Sequence, residues 1–204
     1  MTEKVKHFLE SLSQERRWEL EIANRCGPVL KAVKAANLLA VPSGGWQQVC
    51  GILKDTPIIC HLLYADGQRE ILYLYRYHNL QCHLKQRQVQ EFLSAWGYEA
   101  AEPKPVLHRL SYRYQRYAGA GEPFPHELGV LLQYPVEDVE GFIAHKGQDW
   151  LASGYWKVYG NVREAEETFA DYDQARFQAV TEVLSGWPFS QVASAGLADS
   201  SQII

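Results

Sequence analysis

Two apolar, aromatic-rich runs, residues 57–64 and 69–77, are separated by Ala65-Asp66-Gly67-Gln68. Their alternation, with Asp-Gly at the centre of the break, predicts a β-hairpin. A hairpin cannot stand alone in water, so the rest of the chain must supply more strands or a cover of helices. It offers both. Ser13 can cap a helix over residues 14–25 in which Trp18 and Ile22 share a face, and Gly27-Pro28 should stop it. Val5, Phe8, Leu9 and Leu12 predict an earlier helix over residues 3–12. The run 37–41, closed by Pro42, reads as a buried strand, and Ser43-Gly44-Gly45 turns the chain into a short helix over 46–53.

After the hairpin, Leu80, Leu84, Val89, Phe92, Leu93 and Trp96 predict one helix over residues 79–96, ended by Gly97. Leu107, Leu110, Tyr114 and Tyr117 mark a further helix beyond Pro105, with Arg109, Arg113 and Arg116 on another stripe. The apolar run 128–132 predicts a strand, 136–146 a helix, 154–159 a strand and 162–184 a long acidic helix. That order suggests a right-handed parallel crossover. The expected class is therefore α+β or α/β. It has a mixed sheet of about five strands, containing the antiparallel hairpin and a C-terminal β-α-β-α unit, with helices covering the sheet. The expected organisation is one domain over residues 1–187 and a small, polar tail over 188–204.

The 204 residues are 47% hydrophobic and 22% charged, which excludes disordered, collagenous and coiled-coil chains. No apolar run approaches a membrane span, and the first ten residues mix Glu3, Lys4, Lys6 and Glu10 where a signal peptide would be apolar. Cys26, Cys50, Cys60 and Cys82 form no C-x-x-C pair and read as thiols, so a cytoplasmic protein without membrane contact is expected. The net charge of −4 is uneven. Residues 69–117 hold eight basic and four acidic side chains, and residues 118–204 hold four and thirteen. Such halves can complement each other within the fold or across a homodimer, and the acidic total argues against a nucleic-acid partner.

Several residues could carry chemistry. His126-Glu127 pairs an imidazole with a carboxylate, as a general base or ligand would, although Val130 stands where a zinc-protease helix needs its second histidine. The plainer reading is a histidine bonded within its loop. Cys60, His61, His78, Cys82 and His83 are metal-ligand types without a diagnostic spacing, and on a strand Cys60 and His61 face opposite ways; no metal site is predicted. Ser43-Gly44-Gly45 can present backbone N–H groups to an anion, or can simply turn. The arginine stripe of residues 109–116, interleaved with tyrosines, reads as a solvated helix before it reads as a surface for bases. In residues 155–159, Tyr155, Lys157 and Tyr159 share one strand face. Facing a cleft, Lys157 with Arg76 and Lys34 would hold an anionic metabolite between tyrosine walls. Otherwise Lys157 snorkels to water.

Some longer strings together carry a resemblance: Cys26-Gly27-Pro28 with Lys34; Tyr75-Arg76; Gly97-Tyr98; Phe124-Pro125-His126-Glu127-Leu128-Gly129; Tyr134-Pro135-x-Glu137-Asp138-Val139-x-Gly141-Phe142-Ile143; and Gly154-Tyr155-Trp156-Lys157-Val158-Tyr159. The chain resembles the bacterial family known as domain of unknown function 3793, from about residue 14 to about residue 185. The resemblance implies a fold unit and a set of positions, with no chemistry. This chain departs from the family pattern at Gln133, where the pattern has glycine. Cys26 and His126 both fall in these strings, which makes them a candidate thiol–imidazole pair, although a cysteine at a helix end is a poor nucleophile.

Two functions are expected to compete. In the first, the protein binds or acts on an anionic small metabolite or cofactor of unspecified identity, in a cleft near residues 135 and 160. A pocket joining His126, Lys157 and Arg76 would mark it. In the second, it is a non-enzymatic interaction or regulatory protein, a homodimer joined through its charge patches.

Overall fold

The hairpin's second strand lies at the centre of everything the structure, a computed structural model, describes over residues 11–99 and 101–194. Strand β3 (Arg69–Arg76) sits between β1 (Ala36–Pro42) and β2 (Ile58–Ala65), antiparallel to both. Asp66 closes the hairpin: its Oδ1 accepts the N–H groups of Gln68 and Arg69, both at 2.8 Å. Those two backbone bonds hold its carboxyl below the usual range. Leu62 faces Leu72 and Tyr64 faces Ile71, which leaves Leu63 as a bulge.

Side chains of β3 alternate between two cores. Ile71, Tyr73 and Tyr75 enter one, beneath helices α3 (Tyr77–Leu84), α4 (Arg87–Ala95), α5 (Pro103–Ala120), α6 (Glu127–Leu131) and α7 (Val136–Ala144). Leu72 and Leu74 enter the other, beneath α1 (Gln14–Leu30), α2 (Gly45–Leu53), α8 (Val162–Leu184) and α9 (Phe189–Ser194). Helices α1 and α8 run antiparallel: Arg16 reaches the carbonyl of Trp187 at 3.2 Å, while Gly27 lies against Ala175 and Arg176. A Cβ on Gly27 would stand 2.5 Å from the Arg176 Cα, so only glycine permits this approach.

Several sequence expectations are corrected. The class is mixed helix and sheet, but there is no five-stranded mixed sheet and no parallel crossover among the described residues. They hold this three-stranded sheet and a separate two-residue ladder, β4 (Ala152–Ser153) with β5 (Lys157–Val158). The run 128–132 is helical, because five apolar residues fit a buried helical turn as well as a strand. Its end is a left-handed cap: Gln133 (φ 65°) donates to Val130 O at 2.9 Å and Tyr134 donates to Gly129 O at 3.0 Å. Gln133 thus takes, at a conformational cost, a left-handed backbone position that glycine adopts freely.

The helix expected over 79–96 breaks in two, since Leu84 and Val89 are five residues apart and fall out of phase. Helix α1 continues through Gly27-Pro28 with a kink at Cys26 (φ −120°), which accommodates the helical hydrogen bond that Pro28, lacking an N–H, cannot donate. The helix expected over 3–12 lies almost wholly outside the described residues. Of the expected tail, Phe189–Ser194 forms α9 and residues 195–204 lie outside the description.

Three imidazoles make this packing sensitive to acid. His83 donates from Nε2 to Val130 O at 2.7 Å. His61 Nε2 donates to Ser111 Oγ at 2.8 Å, the hydroxyl proton being given to Leu107 O. Burial lowers the pKa of His83, His61 and His126, with His108 adding to the effect at His61. The unfolded chain, titrating near 6.5, therefore takes up protons before the native one does. Stability from these sites is level above about pH 6.5 and falls as pH drops below it, by up to about 1.4 kcal/mol per pH unit per proton. Thermal melts between pH 7.5 and 5 should show the decline, and His83→Gln should flatten it; an unchanged profile in that variant would contradict the assignment.

Candidate functional site

A cavity of about 410 Å³ opens between the α6–α7 helical pair and the β4–β5 ladder. Its floor comes from Leu38 of β1 and from Leu128 and Leu132, and its sides from Phe142, Tyr134 and Trp156. Phe124 and His126 close one edge; their rings lie 5.5 Å apart, and His126 is 5.6 Å from Phe142. Lys157 closes another edge. Its Nζ donates to Gly147 O at 2.6 Å and lies 3.9 Å from the centre of the Trp150 ring.

Asp138 is the fastening of this wall. In the first turn of α7, 3% exposed, its Oδ2 accepts Trp156 Nε1 at 2.6 Å. Its Oδ1 accepts the backbone N–H groups of Tyr159 and Gly160 at 2.7 and 2.9 Å. The indole so held stacks on Tyr134 (5.1 Å, 29°) and meets Phe169 edge-on (4.5 Å, 75°). Gly154 gives Phe169 its room, because a Cβ there would overlap the ring. Behind the wall lies a second, more polar cavity of about 550 Å³ that shares Tyr134, Asp138 and Trp156 with the first.

Of the residues singled out in the sequence, His126 and Lys157 line the first cavity. Arg76 does not. Its guanidinium donates to Val29 O and Leu30 O, each at 2.7 Å, and to Ala193 O, tying α1 to α9. Lys34 lies behind Tyr134, with that ring's centre 5.0 Å away. Tyr155 donates to Asp173 at 2.9 Å, and the buried Tyr159 hydroxyl has no hydrogen-bond partner among the described residues. Glu127 is wholly buried; Arg113 forms an ion pair with it and Tyr98 donates to it at 3.1 Å. Cys26 packs in the opposite core, where burial pushes its thiol up to about 12, so it does not meet His126.

The remaining candidates resolve just as concretely. The anion at Ser43-Gly44-Gly45 is the chain's own Glu70, whose carboxylate accepts Gly44 N at 3.0 Å and Trp46 N at 2.7 Å. Cys60 and His61 face opposite cores, and His78 Nε2 stands 3.6 Å from Cys82 Sγ. Among the described residues, no three His, Cys, Asp or Glu gather as metal ligands. Arg109 bonds to Trp96 O at 2.9 Å and Arg116 to Glu122 at 2.7 Å, so with Arg113 the arginine stripe is bonded within the chain. No described helix is long and apolar enough to cross a membrane.

A model of the family described as protein of unknown function (DUF3793) matches residues 22–193. The chain belongs to the DUF3793 family. No curated protein and no solved structure matches the DUF3793 chain. The two longest strings that carried the resemblance face each other in this DUF3793 protein: Asp138 binds Trp156 and the Tyr159 backbone, Gly141 lies against Tyr159, and Lys157 lies beside Phe142. Sequence reasoning missed Asp138, Tyr134, Phe142 and Trp156 as builders of the site. An aspartate in a first helical turn reads as a dipole partner, and nothing local signals its distant indole.

Proposed function

We propose that the DUF3793 protein binds, in the 410 Å³ cavity, a planar apolar small molecule bearing an anionic group. The observation that carries this reading is the single ammonium of Lys157 at the rim of a mainly aromatic and aliphatic hollow, in which the one carboxylate, Asp138, is taken up by the Trp156 indole and the backbone N–H groups of Tyr159 and Gly160. Lys157 gives one of its three N–H groups to Gly147 O, which leaves donors for a carboxylate, sulfonate or phosphate. Burial holds His126 toward its neutral form, so it can donate to or accept from the same ligand without adding charge. The walls supply ring-stacking surface, and the volume suits one or two fused rings. Glu127, whose oxygens are taken by Arg113 and Tyr98, contributes no base to the cavity.

Two fluorescent probes test the reading. The aromatic sulfonate 8-anilinonaphthalene-1-sulfonate should bind in micromolar range, and the uncharged N-phenyl-1-naphthylamine more weakly. Lys157→Met, which keeps the stem, should weaken the sulfonate about tenfold, or about 1.4 kcal/mol, and leave the uncharged probe unchanged. Equal loss for both probes, or none for either, would contradict an anion-directed site.

A further inference from the structure

The second cavity, of about 550 Å³, is charged the opposite way from the first. Glu137 reaches it from the first turn of α7, Glu164 and Asp171 reach it from α8, and no lysine or arginine is among its described lining residues. None of these three carboxylates has an ion pair among the described residues. Glu164 and Asp171 are seven residues apart on one helix, so they leave the same face about 10 Å apart along its axis. Between them Thr168 gives its hydroxyl proton to Glu164 O at 2.8 Å and offers the cavity only lone pairs. Glu137 is held by close packing, since a Cβ on Gly160 would stand 2.4 Å from its Oε1.

A buried imidazole adds an acceptor of a different kind. His83 lines the same cavity from α3 and is only 6% exposed; its Nε2 proton goes to Val130 O, so Nδ1 carries a lone pair. Among the described residues nothing donates to that lone pair, and Nδ1 is not sealed from the cavity that the ring lines. A buried acceptor without a donor costs about 1–3 kcal/mol, which a ligand N–H would remove. The apolar share of the lining is aromatic, from Tyr134, Trp156 and Tyr172, and ring faces suit both cations and methylene chains. Lys34 stands behind Tyr134 and Tyr172, outside the lining, and offsets at most one of the three negative charges.

We propose that this cavity binds a linear aliphatic polyamine, with ammonium N–H groups on Glu137, Glu164 and Asp171, methylenes on the ring faces, and one amine N–H on His83 Nδ1. Two observations favour an extended cation over a metal ion. The carboxylates do not converge: no three His, Cys, Asp or Glu gather as metal ligands among the described residues. The hollow is also elongated, because Gln88, Val136 and Glu137 are shared with an adjoining groove that runs past Glu140. A quaternary ammonium would satisfy the charge but not His83 or Thr168, since it has no N–H to give. This site is separate from the one that holds Lys157, with which it shares a wall.

Isothermal titration of the full chain with spermidine at physiological ionic strength tests the proposal. Spermidine should bind one to one in the micromolar range, and tetramethylammonium and Mg²⁺ at least about tenfold more weakly, because neither brings N–H groups. Glu137→Gln and Asp171→Asn, at exposed positions that leave the core intact, should each weaken spermidine about threefold, the worth of one partly exposed ion pair. Glu166→Gln, which makes the same charge change on α8 outside the lining, should leave binding unchanged. No spermidine binding, Mg²⁺ binding as tightly, or a loss in Glu166→Gln equal to that in Asp171→Asn would each overturn the proposal, the last two by showing attraction to an acidic surface alone.

Discussion

Asp138→Ala should lower the thermal midpoint by about 10 °C. The change strands an indole N–H and two backbone N–H groups that now share one buried carboxylate, and bonds to a charged acceptor are worth about 1.5–3 kcal/mol each before relaxation. Allowing water to reach Tyr159 N and Gly160 N, the net loss is about 3–4 kcal/mol, and each kcal/mol shifts the midpoint of a chain this size by about 2–4 °C. Asp138→Asn keeps one acceptor and should lose roughly half as much. With Trp156 unfastened, the alanine variant should also lose binding of the aromatic sulfonate even where it remains folded. A variant with an unchanged midpoint would show that stacking on Tyr134 and Phe169, and not Asp138, holds the wall.

Arg113→Met should cost more, about 3–5 kcal/mol by urea denaturation, because it leaves the Glu127 carboxylate fully buried beside Tyr98 with no cation. Glu127→Leu should cost less. The Arg113 side chain is 26% exposed, and its freed guanidinium can turn toward solvent. The double variant Arg113→Met/Glu127→Leu should recover much of the loss, since an apolar pair of similar volume removes both desolvation costs. If the double variant were as unstable as Arg113→Met, the damage would lie in packing against Trp96, whose ring centre is 5.3 Å from the guanidinium carbon.

The hairpin was readable because its signal is local: alternation on both sides of Asp66-Gly67. The long helix α8 was readable for the same reason, through Asn161 accepting Glu164 N at its start and sustained periodicity after it. The run 128–132 was not, because what makes it helical is the cap at Gln133 and the neighbouring α7, and neither is written in five apolar residues. The site divides along the same line. Lys157 and His126 were legible as polar groups flanked by apolar ones, but their grouping without Arg76 depends on where chain carbonyls run short of donors. Arg76 goes to Val29, Leu30 and Ala193 because those helix ends need it. Likewise, an anion-holding turn was foreseeable at Ser43-Gly44-Gly45, and its occupant Glu70 was not, since 26 residues separate Glu70 from Gly44.

Because successive residues of β3 are committed to opposite helical layers, neither layer owns its own foundation. Loosening the helices above Tyr73 withdraws support from the strand that Leu72 and Leu74 use to anchor the helices below, so damage on one side is transmitted to the other through a single ribbon of backbone. The protein should therefore melt as one unit, and its slowest-exchanging amides should be those of residues 71–75.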